Sequence, residues 1–168
     1  MEKQIAKMED EATYSVTTTQ AGSSEDAIIA KALAILDSRM RKTGQSFGCP
    51  DDVKAYCCIN IGNLPHEVFG VLFLDAKHRL LAFEEMFRGS ITQTSVYPRE
   101  VLKAAIAHNA VAVILTHNHP SGSTDPSRAD TELTSILRQS LALIDVKVLD
   151  HVIVSGGQSL SMAELGLV

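Results

Sequence analysis

In "AVAVILTHNHPSGSTDPSRAD" two histidines, His117 and His119, stand one residue apart where an apolar run gives way to a loop of Pro, Ser and Gly. Side chains alternate faces along a strand, so two residues of separation let both imidazoles project to one side if the extended conformation persists to the strand end. Ten residues beyond His117, Ser127 and Asp130 are three apart, the spacing that puts two side chains on one helix face. Asp125 followed by Pro126 reads as an N-cap with proline at the first helical position, and the intervening "PSGST" supplies Pro120 and Gly122 for a tight reversal. That reversal would return the helix start to the histidines. Two imidazoles and one carboxylate are the ligand set of a catalytic zinc, with the fourth tetrahedral position left for water.

The chemistry that uses such a set is hydrolysis. Zinc with an open position brings the pKa of bound water from about 15.7 to roughly 7 and polarises a carbonyl. A base must then take the water's proton, and Glu67, Glu84 and Glu85 are the candidates. Position along the chain does not choose among them, although Glu84 and Glu85, being adjacent, point to opposite faces and read more simply as solvent or edge charges. Ser127 can donate a hydrogen bond to the oxyanion of a tetrahedral intermediate.

The elements that must carry these residues follow from the apolar pattern. "SSEDAIIAKALAILDSRMRK" has helical spacing at Ile28, Ile29, Ala32, Leu33, Ile35 and Leu36, with Ser23 and Asp26 resembling a capping box. "TGQSFGCP" interrupts it. Pro50 opens a second helix with Asp51 and Asp52 in its first turn, ending near Gly62. "EVFGVLFLD" and "LLAFEEMF", joined by "AKHR", predict a hairpin with at least one strand buried on both faces, and "GSITQTSV" reads as a third strand. A helix from Pro98 carries the stripe Val101, Leu102, Ala105 and Ile106 and stops at Asn109. "AVAVILT" is then a central strand, a helix spans about Ser127 to Leu143, "VKVLDHVIV" is a further strand, and after "SGGQ" the segment "SLSM" reads as one more. Strands alternating with helices imply an α/β fold with helices on the faces of the sheet.

Composition bounds the rest. A chain of 168 residues suits one core plus an extension, with residues 1–22 as a flexible polar tail, 23–45 as a helical extension and 46–168 as the main domain. The balance of 15 Lys and Arg against 20 Asp and Glu gives no overall electrostatic case for a polyanion partner. Arg88, Arg99 and Arg128 are scattered and read as solvated. Three cysteines, two of them the adjacent Cys57 and Cys58, fit neither a disulfide framework nor a zinc knuckle, so a reducing cytoplasmic setting is expected and core packing is the reading for that pair. There is no signal-like apolar segment, and no membrane partner is expected. Asp150 and His151, a polar pair inside a β-branched strand, need partners if buried, and contact with a zinc ligand fits them better than ligation. His66, His78 and His108 sit beside turns or helix ends and read as surface residues, and Ser121 and Gly122 as turn builders.

The order Glu67, "GVLFL", His117-x-His119, seven residues, Ser127, two residues, Asp130 resembles the JAMM signature E-x(n)-H-x-H-x7-S-x2-D of MPN-domain metalloproteases. With "FRGSITQTSVYPRE" upstream and "LDHVIV" downstream, residues 46–168 resemble more narrowly the bacterial RadC family. The resemblance implies a mixed sheet between helices in the JAB/MPN, cytidine-deaminase-like architecture. It also implies zinc held by His117, His119 and Asp130, with Glu67 as the base and Ser127 assisting, and cleavage of a peptide or isopeptide bond in a protein or peptide substrate. Full-length RadC proteins resemble a fusion to a helix-hairpin-helix unit. The glycine-hydrophobic-glycine turns of such a unit are missing from residues 1–65, so the tie to DNA repair and direct nucleic-acid binding is weakened. Nucleobase deamination would need an H-x-E and a P-C-x-x-C pair, and neither occurs. The alternative reading is a non-catalytic MPN-type module for protein interaction or DNA repair.

Overall fold

A computed structural model describes residues 24–42, 47, 49–89 and 95–168. The tail expected over residues 1–22, the Ser23 end of the expected capping box and most of the strand expected in "GSITQTSV" lie outside the described residues. Among the described residues, four helices, α1 (Ser24–Lys42), α2 (Pro50–Ile61), α3 (Pro98–Ala107) and α4 (Arg128–Ala142), accompany five strands, β1 (Val68–Leu74), β2 (Leu80–Arg88), β3 (Ala112–Asn118), β4 (Lys147–Ser155) and β5 (Gln158–Ser161). The strands form one mixed sheet in the order β2-β1-β3-β4-β5, with β3 and β4 parallel and every other neighbouring pair antiparallel. This is the α/β architecture expected, consistent with the JAB/MPN type.

β1 and β3 are buried at every position, which accounts for their unbroken apolar runs. Their alternating side chains build two separate cores. Val68, Leu72, Ala112, Ile114, Val152 and Val154 meet Val53, Tyr56, Cys57 and Ile61 of α2 on one face. Phe69, Val71, Phe73, Val113 and Leu115 meet Val101 and Ala105 of α3 and Leu137 and Leu141 of α4 on the other. The period of two therefore assigns the face of every later residue in β3, including His117, before any chemistry is considered. Burial also drives the Cys57 thiol up to about 12, so this cysteine is a neutral packing residue, as expected.

Three local expectations need correction. The α4 N-cap is Ser127, not Asp125, because the Ser127 hydroxyl and the Asp130 carboxylate form a reciprocal capping box, while Asp125 accepts from the Ser123 hydroxyl two residues earlier. In α3, Val101 and Ala105 are buried but Ile106 is exposed, so the stripe is narrower than its spacing suggested. In α1, Leu36 packs against the α2 core, whereas Ile28, Ile29 and Ile35 remain exposed. No helix among the described residues is long and apolar enough to cross a membrane.

Gly62 closes α2 where the chain passes close to the β4–β5 turn, and its carbonyl accepts from the Gly156 N–H at 2.8 Å. A Cβ at this position would collide with the carbonyl oxygens of Gly156 and Cys58, both backbone atoms with no side chain to swing aside. Gly62→Ala is therefore expected to cost on the order of 2 kcal/mol of stability, read as a lowered denaturation midpoint. An unchanged midpoint would show that this approach is not tight.

Candidate metal centre

β3 delivers His117 to the α3/α4 face as the continuation of Val113 and Leu115, and the strand then ends at Asn118, two residues before Pro120. His119 is still held to the sheet, its N–H donating to the Val154 carbonyl at 2.9 Å. The turn that follows uses Gly122 at a φ of 101°, a conformation that suits glycine, in the structural role expected of it. The chain then enters α4 through the capping box, in which the Asp130 carboxylate accepts from the Ser127 N–H at 2.7 Å and the Ser127 hydroxyl oxygen accepts from the Asp130 N–H at 3.1 Å. The cap that starts the helix also aims the carboxylate.

These elements bring His117, His119 and Asp130 together, with one ligating atom from each lying within 4.8 Å of the others. His117 Nε2 is 2.9 Å from His119 Nε2 and 3.3 Å from Asp130 Oδ1, and His119 Nε2 is 3.8 Å from Asp130 Oδ2. Donors about 2.0–2.1 Å from one tetrahedral metal ion stand about 3.3 Å apart, and the three separations bracket that value. A plain ion pair is the competing account. Burial pushes His117 down to about 4, so it is neutral at pH 7 and is no cationic partner for Asp130. The His119 Nδ1–H donates to the Ser123 carbonyl at 2.9 Å, so it is Nε2 that the ring turns toward the cluster and that the neutral ring offers as a lone pair. The donor set thus fits a zinc-like cation.

The other expected residues divide clearly. Glu67 lies just before β1, in which Phe69 pairs with His117, and its carbonyl accepts from the Gly89 N–H at 2.9 Å. Glu84 pairs with Val71 and its carboxylate is 2.6 Å from His108 Nε2 at the end of α3. Glu85 is exposed and pairs with Gly70, on the opposite face. His108, expected at the surface, is instead half-buried between that carboxylate and the Phe73 ring. Arg88 lies beside His66, Arg99 beside Glu100 and Arg128 beside Glu132, so the three arginines do not gather at the site.

Asp150 and His151 point to opposite faces and do different work. Asp150 accepts from the N–H groups of His151 and Ala163 and from the Ser161 hydroxyl, fastening the segment after β5. His151 Nε2 lies 2.8 Å from His117 Nδ1, so it contacts a residue of the cluster. Two buried residues that brace the cluster and its neighbouring segment were not singled out by their place in the sequence. Asn118 is fully buried and accepts from the Val68 N–H while donating to the carbonyls of Leu64 and His66, which pins the segment that carries Glu67. Thr134 is fully buried against His151, and its position one turn after Asp130 was the available signal. A cleft of about 410 Å³ opens beside His119 and Pro120, walled by residues Gly62 to Pro65 and by Ser155 and Gly156.

The family described as the RadC-like JAB domain matches residues 47–167. The chain is 57% identical over 152 residues to a UPF0758 protein of Variovorax paradoxus (strain S110), covering 87% of this chain and 68% of that protein. It is 56% identical over 144 residues to a UPF0758 protein of Verminephrobacter eiseniae (strain EF01-2), covering 82% of this chain and 61% of the relative. A UPF0758 protein of Ectopseudomonas mendocina (strain ymp) is 56% identical over 140 residues, 83% of this chain and 62% of the relative. The chain thus spans roughly two thirds of the length of these relatives.

Proposed function

This chain belongs to the RadC-like JAB domain family, and on that premise we propose that it is a zinc-dependent hydrolase of the JAMM type, cleaving a peptide or isopeptide amide. The observation that carries the proposal is the convergence of His117 Nε2, His119 Nε2 and the Asp130 carboxylate, with the Nδ1 atoms of both imidazoles already engaged elsewhere. Zinc bound there supplies a water of pKa near about 7 and Lewis-acid polarisation of the amide carbonyl.

This chain's residues would divide the remaining work. Glu67 takes the proton from the attacking water on its carboxylate and returns it to the leaving amine nitrogen, so the bond breaks without expelling an amide anion. Ser127 sits at the helix entrance with its hydroxyl oxygen accepting from the Asp130 N–H, which leaves its hydrogen to donate to the developing oxyanion. The cleft beside His119, walled by backbone at Gly62 and Gly156, adjoins one of the three residues of the cluster, so an extended segment lying in it would approach the centre from the His119 side.

The test is a survey of quenched-fluorescence peptide and isopeptide substrates with the zinc-loaded protein, the chelator-treated protein and the treated protein resupplied with zinc. Cleavage that disappears on chelation and returns with zinc is the expected result. Cleavage indifferent to chelation would refute the mechanism.

A further inference from the structure

A closed chain of hydrogen bonds joins two of the ligand residues through groups that are not ligands. Thr134 Oγ1 lies 2.6 Å from the Asp130 carbonyl oxygen and 2.6 Å from His151 Nδ1, and His151 Nε2 lies 2.8 Å from His117 Nδ1. Thr134 is 1% exposed, His151 0% and His117 2%, so bulk water does not compete for these groups.

The direction of each bond follows from donor and acceptor capacity. The Asp130 carbonyl can only accept, so the Thr134 hydroxyl donates to it, the usual bond from a helical threonine to the carbonyl four residues back. With its one hydrogen committed, Thr134 Oγ1 can only accept from His151, which places a proton on His151 Nδ1. Met162 Sδ, at 3.9 Å from the hydroxyl, is too weak an acceptor to reverse this order. His151 is fully buried with its ring nitrogens against Thr134 and His117, so with the ring proton on Nδ1 its Nε2 is left as the acceptor for His117 Nδ1–H. The consequence falls on His117 Nε2. It is left with its lone pair directed at His119 Nε2 and Asp130, the arrangement a cation needs.

We propose that Thr134 and His151 are positioning residues that hold His117 in its Nδ1–H tautomer and so present a preformed nitrogen donor to a zinc-like cation. The inference rests on the metal-centre reading above and adds Thr134, a residue outside the family signature quoted for this chain. The relay begins at the backbone of Asp130 and ends at His117, so the rotamer of α4's Thr134 couples one ligand's main chain to the other's ring.

Thr134→Val and Thr134→Ser test it together. Valine keeps the branched shape but has no hydroxyl, whereas serine keeps the hydroxyl and loses a methyl. The valine variant is expected to weaken zinc binding about 10–100-fold in a chelator competition, with serine near wild type. Imidazole ¹⁵N shifts of the metal-free proteins should report His117 protonated at Nδ1 in wild type and in Thr134→Ser, and a tautomer mixture in Thr134→Val. Wild-type His117 protonated at Nε2 would overturn the relay, as would equal losses of affinity in the serine and valine variants. A wild type that binds no zinc while showing the Nδ1–H tautomer would refute the metal centre and leave the relay standing.

Discussion

His119→Ala is expected to lower zinc affinity roughly 100-fold or more while leaving the metal-free fold nearly unchanged. Structural zinc sites bind with about 10–16 kcal/mol, so one ligand in four carries on the order of 3 kcal/mol, which sets the size of the loss. His119 is the ligand that can be removed cleanly. Its side chain is 18% exposed, and its principal polar partner, the Ser123 carbonyl, lies in a surface loop that water can reach. His117→Ala would confound the result, because it leaves a cavity under the sheet and strands His151 Nε2 without its donor. Chelator competition on wild type and His119→Ala reads the affinity, and thermal unfolding of the metal-free proteins reads the fold. Equal affinities would remove His119 from the ligand set and with it the geometric basis for the site.

Glu67→Gln should separate binding from chemistry, with zinc affinity within a few-fold of wild type and turnover down by about 10²–10⁴. Glutamine preserves the size and hydrogen-bonding reach of the side chain but cannot accept and return a proton. Glu67 stands just before β1 in the register that leads to His117, and Asn118 fixes the adjoining backbone through the Val68 N–H at 2.7 Å. Glu84→Gln is the matched control. That carboxylate is paired with His108 on the α3 side, so its loss should leave turnover near wild type and affect the α3 packing instead. The measurement is steady-state turnover on whichever substrate the survey identifies, with metal content checked in each variant. Full activity of Glu67→Gln, with loss in Glu84→Gln, would move the base along the sheet.

The clustering of His117, His119 and Asp130 was legible because its signals are local. His117 and His119 owe their shared side to strand alternation, and Asp130 owes its return to the short loop and the helix cap behind it. The two buried strands were equally plain, since β1 and β3 have apolar residues on both faces. What the sequence could not assign depended on partners distant along the chain. Thr134 looks like any helical threonine until β4 places His151 beside it, and Asn118 between two histidines looks like part of the motif until the segment before β1 arrives to use its amide. The α4 start was misassigned by two residues because Asp125-Pro126 and Ser127-x-x-Asp130 are both credible starts. The reciprocal cap of the second prevailed, and Asp125 took the Ser123 hydroxyl instead. Exposed Ile106 shows the complementary limit, that helical spacing gives a stripe's direction and the neighbouring element gives its width.

A zinc ion held at the end of β3 by two imidazoles and a carboxylate would have a distinctive coordination shell. X-ray absorption at the zinc edge, on protein loaded with one equivalent, tests for that shell most directly. Nitrogen and oxygen neighbours only, at about 2.0–2.2 Å, with the multiple-scattering signature of two imidazoles, are the expected result. A sulfur shell at about 2.3 Å, or a single imidazole, would contradict it.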